Sequence, residues 1–313
     1  MRVLLTGASG FIGRNIVNEL LSHDYKVVAL TRNPNLLIQG VDVVVGDITK
    51  KETLSDAFTN IDAVFHNAAL AMDWGKRKDF QKVNVWGTKN IMHLCQKNGI
   101  KRIVYTSSAG VYGFPNTPEI ITEKSPLNPL NHYHQSKLDG EGVLSLAEDI
   151  AVSIIRPPLV IGPNSHAAKL ILSRILTNDI TYIGSGEQLI SIVHPIDVAQ
   201  CIRLVFEKDN NGDIFNVVSF TCSIKELFTT ISERLEIRPP HKHVPYLVAY
   251  LSAIFSQFLT RPPSLTKFQV KSLGTTRQIS FDKARKNLGY IPTNDLNSTV
   301  DDMIQWYKKE IET

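Results

Sequence analysis

The sequence predicts an α/β fold, a Rossmann-type doubly wound parallel sheet of about seven strands with a smaller, interleaved C-terminal substrate part. Three observations carry it. Short apolar, β-branched runs alternate with segments of helical period along the chain. A glycine turn, Thr6-Gly7-Ala8-Ser9-Gly10-Phe11-Ile12-Gly13, joins the first such run to the first helical one. Several runs also end abruptly in small or polar residues, as strands do at the carboxyl edge of a parallel sheet.

The chain has 313 residues, 43% of them hydrophobic and 20% charged, with a net charge of +4. That balance fits a globular protein with ample core. Lys76-Arg77-Lys78 is the tightest basic cluster before the tail, and it reads as a solvated loop rather than a nucleic-acid footprint. Cys95, Cys201 and Cys222 are far apart and odd in number, which yields no disulfide framework or zinc spacing and points to a reducing, cytoplasmic setting. The first apolar run is too short for a signal peptide, and no uncharged stretch reaches spanning length. His132, His134, His241 and His243 form no consistent ligand set, so no metal is expected.

The elements follow in order. Val3-Leu4-Leu5 has the length and composition of a buried strand, and from Phe11 to Leu21 apolar residues recur at helical spacing. Glycines at 7, 10 and 13 let the backbone approach a pyrophosphate, while the helix start offers free N–H groups and a positive dipole end. Together they form the opening half of a dinucleotide-binding βαβ unit. Residues 26–30 are the second strand, ending in Thr31-Arg32. A carboxylate at this distance from the glycines would read a 2′-hydroxyl; Arg32 would pair with a 2′-phosphate, favouring NADP(H) over NAD.

Residues 41–45 form the third strand, before Gly46-Asp47-Ile48-Thr49, where Asp47 or Thr49 could cap a helix over 50–58. The fourth strand, 61–65, runs into His66-Asn67-Ala68-Ala69. Small residues at 68 and 69 leave room for a cofactor, and His66 reads as a satisfied core histidine. Residues 79–98 form a long helix containing Asn84. The fifth strand, 102–106, leads into Ser107-Ser108-Ala109-Gly110-Val111-Tyr112-Gly113, and 151–156 is the sixth.

Tyr133 and Lys137 lie four apart, on one face of a helix over 133–149. A phenol titrates near ~10 in water, too high for ready proton exchange at neutral pH. An adjacent ammonium and a positive nicotinamide would favour the phenolate and lower that value, making Tyr133 a general acid or base.

The glycine spacing, the Ser107-Ser108 pair and Tyr133-x-x-x-Lys137 together resemble the extended branch of the short-chain dehydrogenases/reductases, over nearly the whole chain. The resemblance implies that Ser108 binds the substrate oxygen beside Tyr133, that Lys137 also holds the nicotinamide ribose, and that Asn84 links Lys137 to water. It implies a cofactor site built from Gly7, Gly10, Phe11, Ile12 and Gly13, with Arg32, Asp47 and Ile48 towards the adenosine. Ala68, Ala69 and Pro157 would lie along the dinucleotide, with Tyr133 and Lys137 at its nicotinamide end. Relatives also pair the helices at 79–98 and 133–149 into a homodimer.

Within that branch, sugar-nucleotide dehydratases carry Asp-Glu where this chain has Ala109-Gly110, so dehydration is not expected. Leu159 replaces an asparagine that contacts the nucleotide in many sugar-nucleotide epimerases. From Tyr246 to Leu259 there is no charge, and Leu247, Leu251, Ile254, Phe255 and Phe258 form a helical stripe. Such a helix must bury both faces, line an apolar pocket, or rest on a membrane or partner; burial in the core is the expectation. This segment and Arg261-Pro262-Pro263 resemble the 3β-hydroxysteroid dehydrogenase-like and dihydroflavonol-reductase-like members. The implied activity is hydride transfer between NADP or NAD and a secondary alcohol or ketone of a mostly apolar small molecule. The alternatives are an NAD-dependent sugar-nucleotide epimerase and a non-catalytic NAD(P)-sensing binding protein. The dinucleotide part is expected over 1–163 with 189–219 returning to it, and the substrate part mainly over 164–188 and 220–313. In the return, His194 and Asp197 read as structural, with Pro195 in the first turn of a helix.

Overall fold

The computed structural model describes residues 1–115, 119–208 and 212–312; the predicted substrate and return segments therefore include positions (209–211 and 313) outside the described residues. Seven parallel strands form the main sheet: Arg2–Thr6, Lys26–Thr31, Val41–Val45, Ala63–His66, Arg102–Thr106, Ala151–Arg156 and Ile214–Asn216. Numbered one to seven along the chain, they lie side by side in the order 7-6-5-4-1-2-3. The order reverses between the first and fourth strands, where Thr6 stands opposite His66. A crevice opens beyond the strand ends at such a reversal.

The strands are buried on both faces because they are apolar on both. Val3 and Leu5 enter one core with Val27, Ala29 and Phe65, while Leu4 enters another with Val28, Leu30 and Val64. That is the period-two pattern of a sheet covered on each side. The first core is closed by the helices Phe11–Leu21 and Pro195–Lys208, together with Ala284, Leu288 and Tyr290. The second is closed by Gly87–Lys97.

A three-stranded sheet of Leu159–Val160, Leu189–Val193 and Phe220–Ser223 stands apart from the main one. Around it the helices His166–Leu176, Ile224–Arg234 and Leu296–Glu312 build a third core. Asp197 ties these parts together: its carboxylate accepts hydrogen bonds from Ser219 Oγ, from Thr293 N and Oγ1, and from Asn294 N. Its role is structural, as expected.

Three expectations need correction. Residues 50–58 form two short 3₁₀ turns, Lys51–Thr53 and Ser55–Phe58, instead of one helix. The long helix over 79–98 is interrupted: Arg77–Phe80 is α-helical, Gln81–Trp86 is a π-helical turn, and α-geometry resumes at Gly87. Single π-turns of this kind cluster at functional sites. The third correction concerns Tyr246–Leu259, which is a helix but does not bury its large side chains. Ala249 and Ala253 face inward, whereas Leu247, Val248, Leu251, Phe255, Phe258 and Leu259 are exposed. Alanine lets the helix approach Ile183 and Val270 closely, so the small face does the packing.

Candidate active site

The glycine loop is shaped as a phosphate cradle requires. Gly7 has φ +74°, and a Cβ there would meet the backbone of Ala68 at 2.9 Å. A Cβ on Gly13 would lie 1.9 Å from the carbonyl oxygen of Gly7. These two glycines therefore allow the turn to close onto the fourth strand and the helix to start directly behind it. Gly10 is different: its absent side chain would meet only the Gly7 oxygen, at 3.2 Å. Gly10 caps the helix Phe11–Leu21 with no side-chain bond, and no acidic residue occupies the first turn. The leading N–H groups are thus open to an anion, and the loop fits a dinucleotide pyrophosphate. Phe11 and Ile12, in that first turn, are half-buried.

At the end of the second strand Arg32 is exposed, while the side chain of Thr31 turns back to accept the Asn33 N–H at 3.1 Å. Burial opposes ionisation of Asp47, but the Thr49 N–H on its carboxylate (2.9 Å), with Arg32 and Lys50 nearby, holds its pKa below the usual carboxylate range. Arg32 and Asp47 thus share one rim of the crevice. Ile48 points inward beneath Gly87, where a Cβ would meet it at 2.8 Å. Ala68 is half-buried and Ala69 exposed; Pro157 is buried and accepts the Ala109 N–H at 2.8 Å through its carbonyl.

Behind the crevice lies a run of buried polar groups. Ala68 N–H donates to Thr6 Oγ1 at 3.0 Å, which lies 2.8 Å from His66 Nδ1. His66 Nε2 is 2.9 Å from Thr88 Oγ1, and that hydroxyl donates to the Asn84 carbonyl at 2.6 Å. A carbonyl can only accept, so the Thr88 hydrogen is committed to it and Nε2 must be the protonated ring nitrogen. Nδ1 then accepts from Thr6. Burial, reinforced by the charge of Lys137, keeps this imidazole neutral and pushes its pKa down to about 3. His66 is the satisfied core residue expected.

Asn84 sits in the π-turn, almost fully buried. Its Oδ1 accepts Leu70 N–H at 2.7 Å, and its Nδ2 donates to the Leu70 carbonyl (3.0 Å) and to Ser136 Oγ (2.8 Å). The side chain therefore pins the loop after the fourth strand to the helix His132–Leu144. This is a scaffold role that the expected water link to Lys137 did not include.

Ser107 and Ser108 separate cleanly. Ser107 Oγ donates to Glu141, which also pairs with buried Arg156 through two guanidinium nitrogens. Ser108 Oγ accepts the Gly110 N–H at 3.0 Å and keeps its own hydrogen to donate. The turn Ala109–Tyr112 after it packs on the helix His132–Leu144, with Gly110 directly against the His134 ring. A Cβ at 110 would lie 1.9 Å from His134 Cδ2, so no acidic side chain fits there.

Tyr133 is half-buried and Lys137 wholly buried on that helix. The Lys137 ammonium lies 4.0 Å from the centre of the Tyr105 ring. Burial lowers its pKa to about 7 against the opposing charge of Glu141. The Tyr133 phenol is not acidified in the cofactor-free protein: burial, and then the carboxylate of Asp73, push it up to about 12. The expected acidification assumed a bound nicotinamide; in the cofactor-free protein desolvation dominates instead. Asp73, accessible on one side yet enclosed by protein, is raised in turn by burial, with His166 and Gln269 pulling it back.

Sequence reasoning missed Glu141, Asp73 and Arg277. Glu141 was visible as the next member of the four-residue spacing Tyr133-Lys137-Glu141. Asp73 and Arg277 come from distant segments and carried no local signal. The Arg277 guanidinium lies 5.2 Å from the centre of the Phe114 ring and donates to the Ala109 carbonyl. Burial lowers its pKa to about 10, and among the described residues it has no carboxylate partner. His134 and Phe268 complete this wall, with ring centres 4.8 Å apart.

A parallel sheet with an open glycine cradle, and a Tyr-x-x-x-Lys helix beside a free serine hydroxyl, defines a nicotinamide-dependent enzyme of the short-chain type. The chain belongs to the NAD dependent epimerase/dehydratase family, whose model matches residues 3–218, and so to the extended short-chain dehydrogenases/reductases. It is 27% identical to a 2-alkyl-3-oxoalkanoate reductase of Stenotrophomonas maltophilia, over 93% of this chain and 95% of that protein. It is 29% identical to a decarboxylating sterol-4-alpha-carboxylate 3-dehydrogenase of Dictyostelium discoideum, over 96% and 99%. A third relative, 26% identical over 97% and 94%, is the N-acetyl-alpha-D-glucosaminyl-diphospho-ditrans,octacis-undecaprenol 4-epimerase of Escherichia coli O157:H7.

Proposed function

We propose that the protein oxidises or reduces a secondary alcohol or ketone on a mostly apolar molecule, with NADPH the favoured cofactor. The observation that carries this is the division of labour at the fifth strand end. Ser107 is consumed by the Glu141–Arg156 pair, which leaves Ser108, at the start of the turn that packs on the Tyr133–Lys137 helix, with a hydrogen free to donate. Ser108 donates a hydrogen bond to the substrate oxygen, and Tyr133 gives it a proton in reduction or takes one in oxidation. Lys137 holds the ribose hydroxyls and supplies positive charge beside the phenol. The bound nicotinamide supplies or accepts the hydride.

Arg277 supports a finer statement. A desolvated cation with no carboxylate partner among the described residues suits an anionic group on the substrate. The names of the reductase and the sterol dehydrogenase both describe a carboxylate on a hydrocarbon body. We therefore favour a long-chain or polycyclic 3-oxo or 3-hydroxy acid. The test is nicotinamide absorbance with a 2-alkyl-3-oxoalkanoate: Tyr133→Phe should lower turnover at least ~10²-fold while cofactor still binds. Retained turnover would remove Tyr133 from the mechanism.

The undecaprenol-linked relative favours a second reading, a sugar epimerase. That activity would leave nicotinamide absorbance unchanged while inverting one carbinol centre, visible by NMR. Binding of cofactor with no turnover in either screen would favour a sensing protein. We also propose that 164–188 and 220–313 supply most of the substrate side, and that the three buried free thiols serve a protein of a reducing cytoplasm. Two copies are proposed to pair through the helices of the Asn84 and Lys137 segments, with exposed Trp86 at the contact. A stable monomer in light scattering would refute that pairing.

A further inference from the structure

The helix Tyr246–Leu259 turns its amphipathic logic outward. Ala249 and Ala253 are 5% and 0% exposed, whereas Leu247, Leu251, Phe255 and Phe258 are 66%, 46%, 63% and 81% exposed. With Val248 and Leu259, those large side chains fall within an arc of about 120° at helical period, forming one continuous apolar face. Among the described residues, nothing covers it. The sequence flanking the helix is of a single sign: from Ile237 to Thr276 there is no Asp or Glu, while Arg238, Lys242, Arg261, Lys267 and Lys271 are cationic. Arg238 and Lys242, before the helix, and Arg261, directly after it, are exposed.

We propose that this helix lies in the surface of a bilayer containing anionic lipids, with its apolar face at the headgroup–acyl boundary and the flanking cations on lipid phosphates. Apolar area and basic flanks are the two terms that drive such binding. Charge argues against a second copy as the occupant, because a two-fold contact would bring the same exposed flanking cations together. The helix lies on the bilayer rather than through it: among the described residues, no helix is long and apolar enough to cross a membrane. The position also suits a lipid-like substrate. The next helix, Lys267–Gly274, packs on this one and carries Phe268 to the His134 ring of the candidate site. Only this last link rests on the proposed function; the surface itself does not.

The test uses the full chain and no substrate. Flotation with phosphatidylcholine vesicles containing phosphatidylglycerol is compared with pure phosphatidylcholine, at low and high salt. Binding should be about tenfold stronger to the anionic vesicles and fall at high salt. The double variant Phe255→Ser/Phe258→Ser should lose at least about tenfold of that binding, with its melting temperature and NADPH-induced thermal shift kept. Arg261→Glu should weaken binding to anionic vesicles alone. The proposal is overturned if neither vesicle binds, or if the serine pair leaves binding unchanged. It is also overturned if light scattering shows an oligomer that the serine pair dissociates, or if only an acidic protein partner engages the face. An absence of ketone turnover would strike the proposed function while leaving the vesicle result intact.

Discussion

Lys137 is a lysine held where its charge is expensive, and that cost can be measured without any substrate. Its pKa falls from the ordinary 10.5 to about 7 because burial outweighs the attraction of Glu141. At 1.36 kcal/mol per pH unit the fall corresponds to about 5 kcal/mol against folding wherever both states are protonated. The unfolded chain binds the extra proton between pH 7 and 10.5, so the penalty is whole below pH 7 and fades as pH rises towards 10.5. Lys137→Met keeps the length of the side chain and removes the charge. In urea unfolding of the cofactor-free protein, the variant should be more stable at pH 6 by a few kcal/mol. That margin should shrink by about 3 kcal/mol by pH 9, while turnover is lost at both. A margin independent of pH, or one that grows with pH, would refute the assignment of a buried, desolvated ammonium.

Three further outcomes follow from the same geometry. Asn84→Ala removes the clamp between Leu70 and Ser136 and leaves the part-buried backbone groups of Leu70 unpaired; stability should fall by about 1–3 kcal/mol in thermal unfolding, with kcat/KM falling too. Glu141→Gln leaves the buried Arg156 guanidinium without its counter-charge and should cost about 3–5 kcal/mol in chemical denaturation. Because Glu141 supports the charge of Lys137, the pH at which residual activity titrates should also move downward. Arg32→Glu should shift cofactor preference from NADPH towards NAD by at least about tenfold in the ratio of kcat/KM, as one lost charge-assisted contact predicts; an unchanged ratio would make Arg32 a solvated surface residue.

The sheet was legible because its signals are local. A strand reads from Val3-Leu4-Leu5, and the glycines at 7 and 13 sit where a Cβ would strike backbone. The Tyr133-Lys137 spacing was readable for the same reason, whereas the choice of Ser108 over Ser107 rested on the resemblance. What stayed hidden depends on contacts between distant segments. The interruption of the helix at Gln81–Trp86 answers to tertiary hydrogen bonds of Asn84, and residue propensity carries no trace of it. The raised pKa of the Tyr133 phenol in the cofactor-free protein was hidden too, because desolvation is set by the whole fold. The stripe of Tyr246–Leu259 was found, yet its direction was not. Hydrophobic period marks a face but cannot say whether protein lies on that side.

The buried imidazole between the first and fourth strands has one more consequence. Its two nitrogens are already occupied, one receiving from Thr6 and the other giving to Thr88, whose own hydrogen ends on a peptide oxygen. Such a series conducts nothing in either direction, and His66 is no reservoir for hydrogen exchanged during turnover.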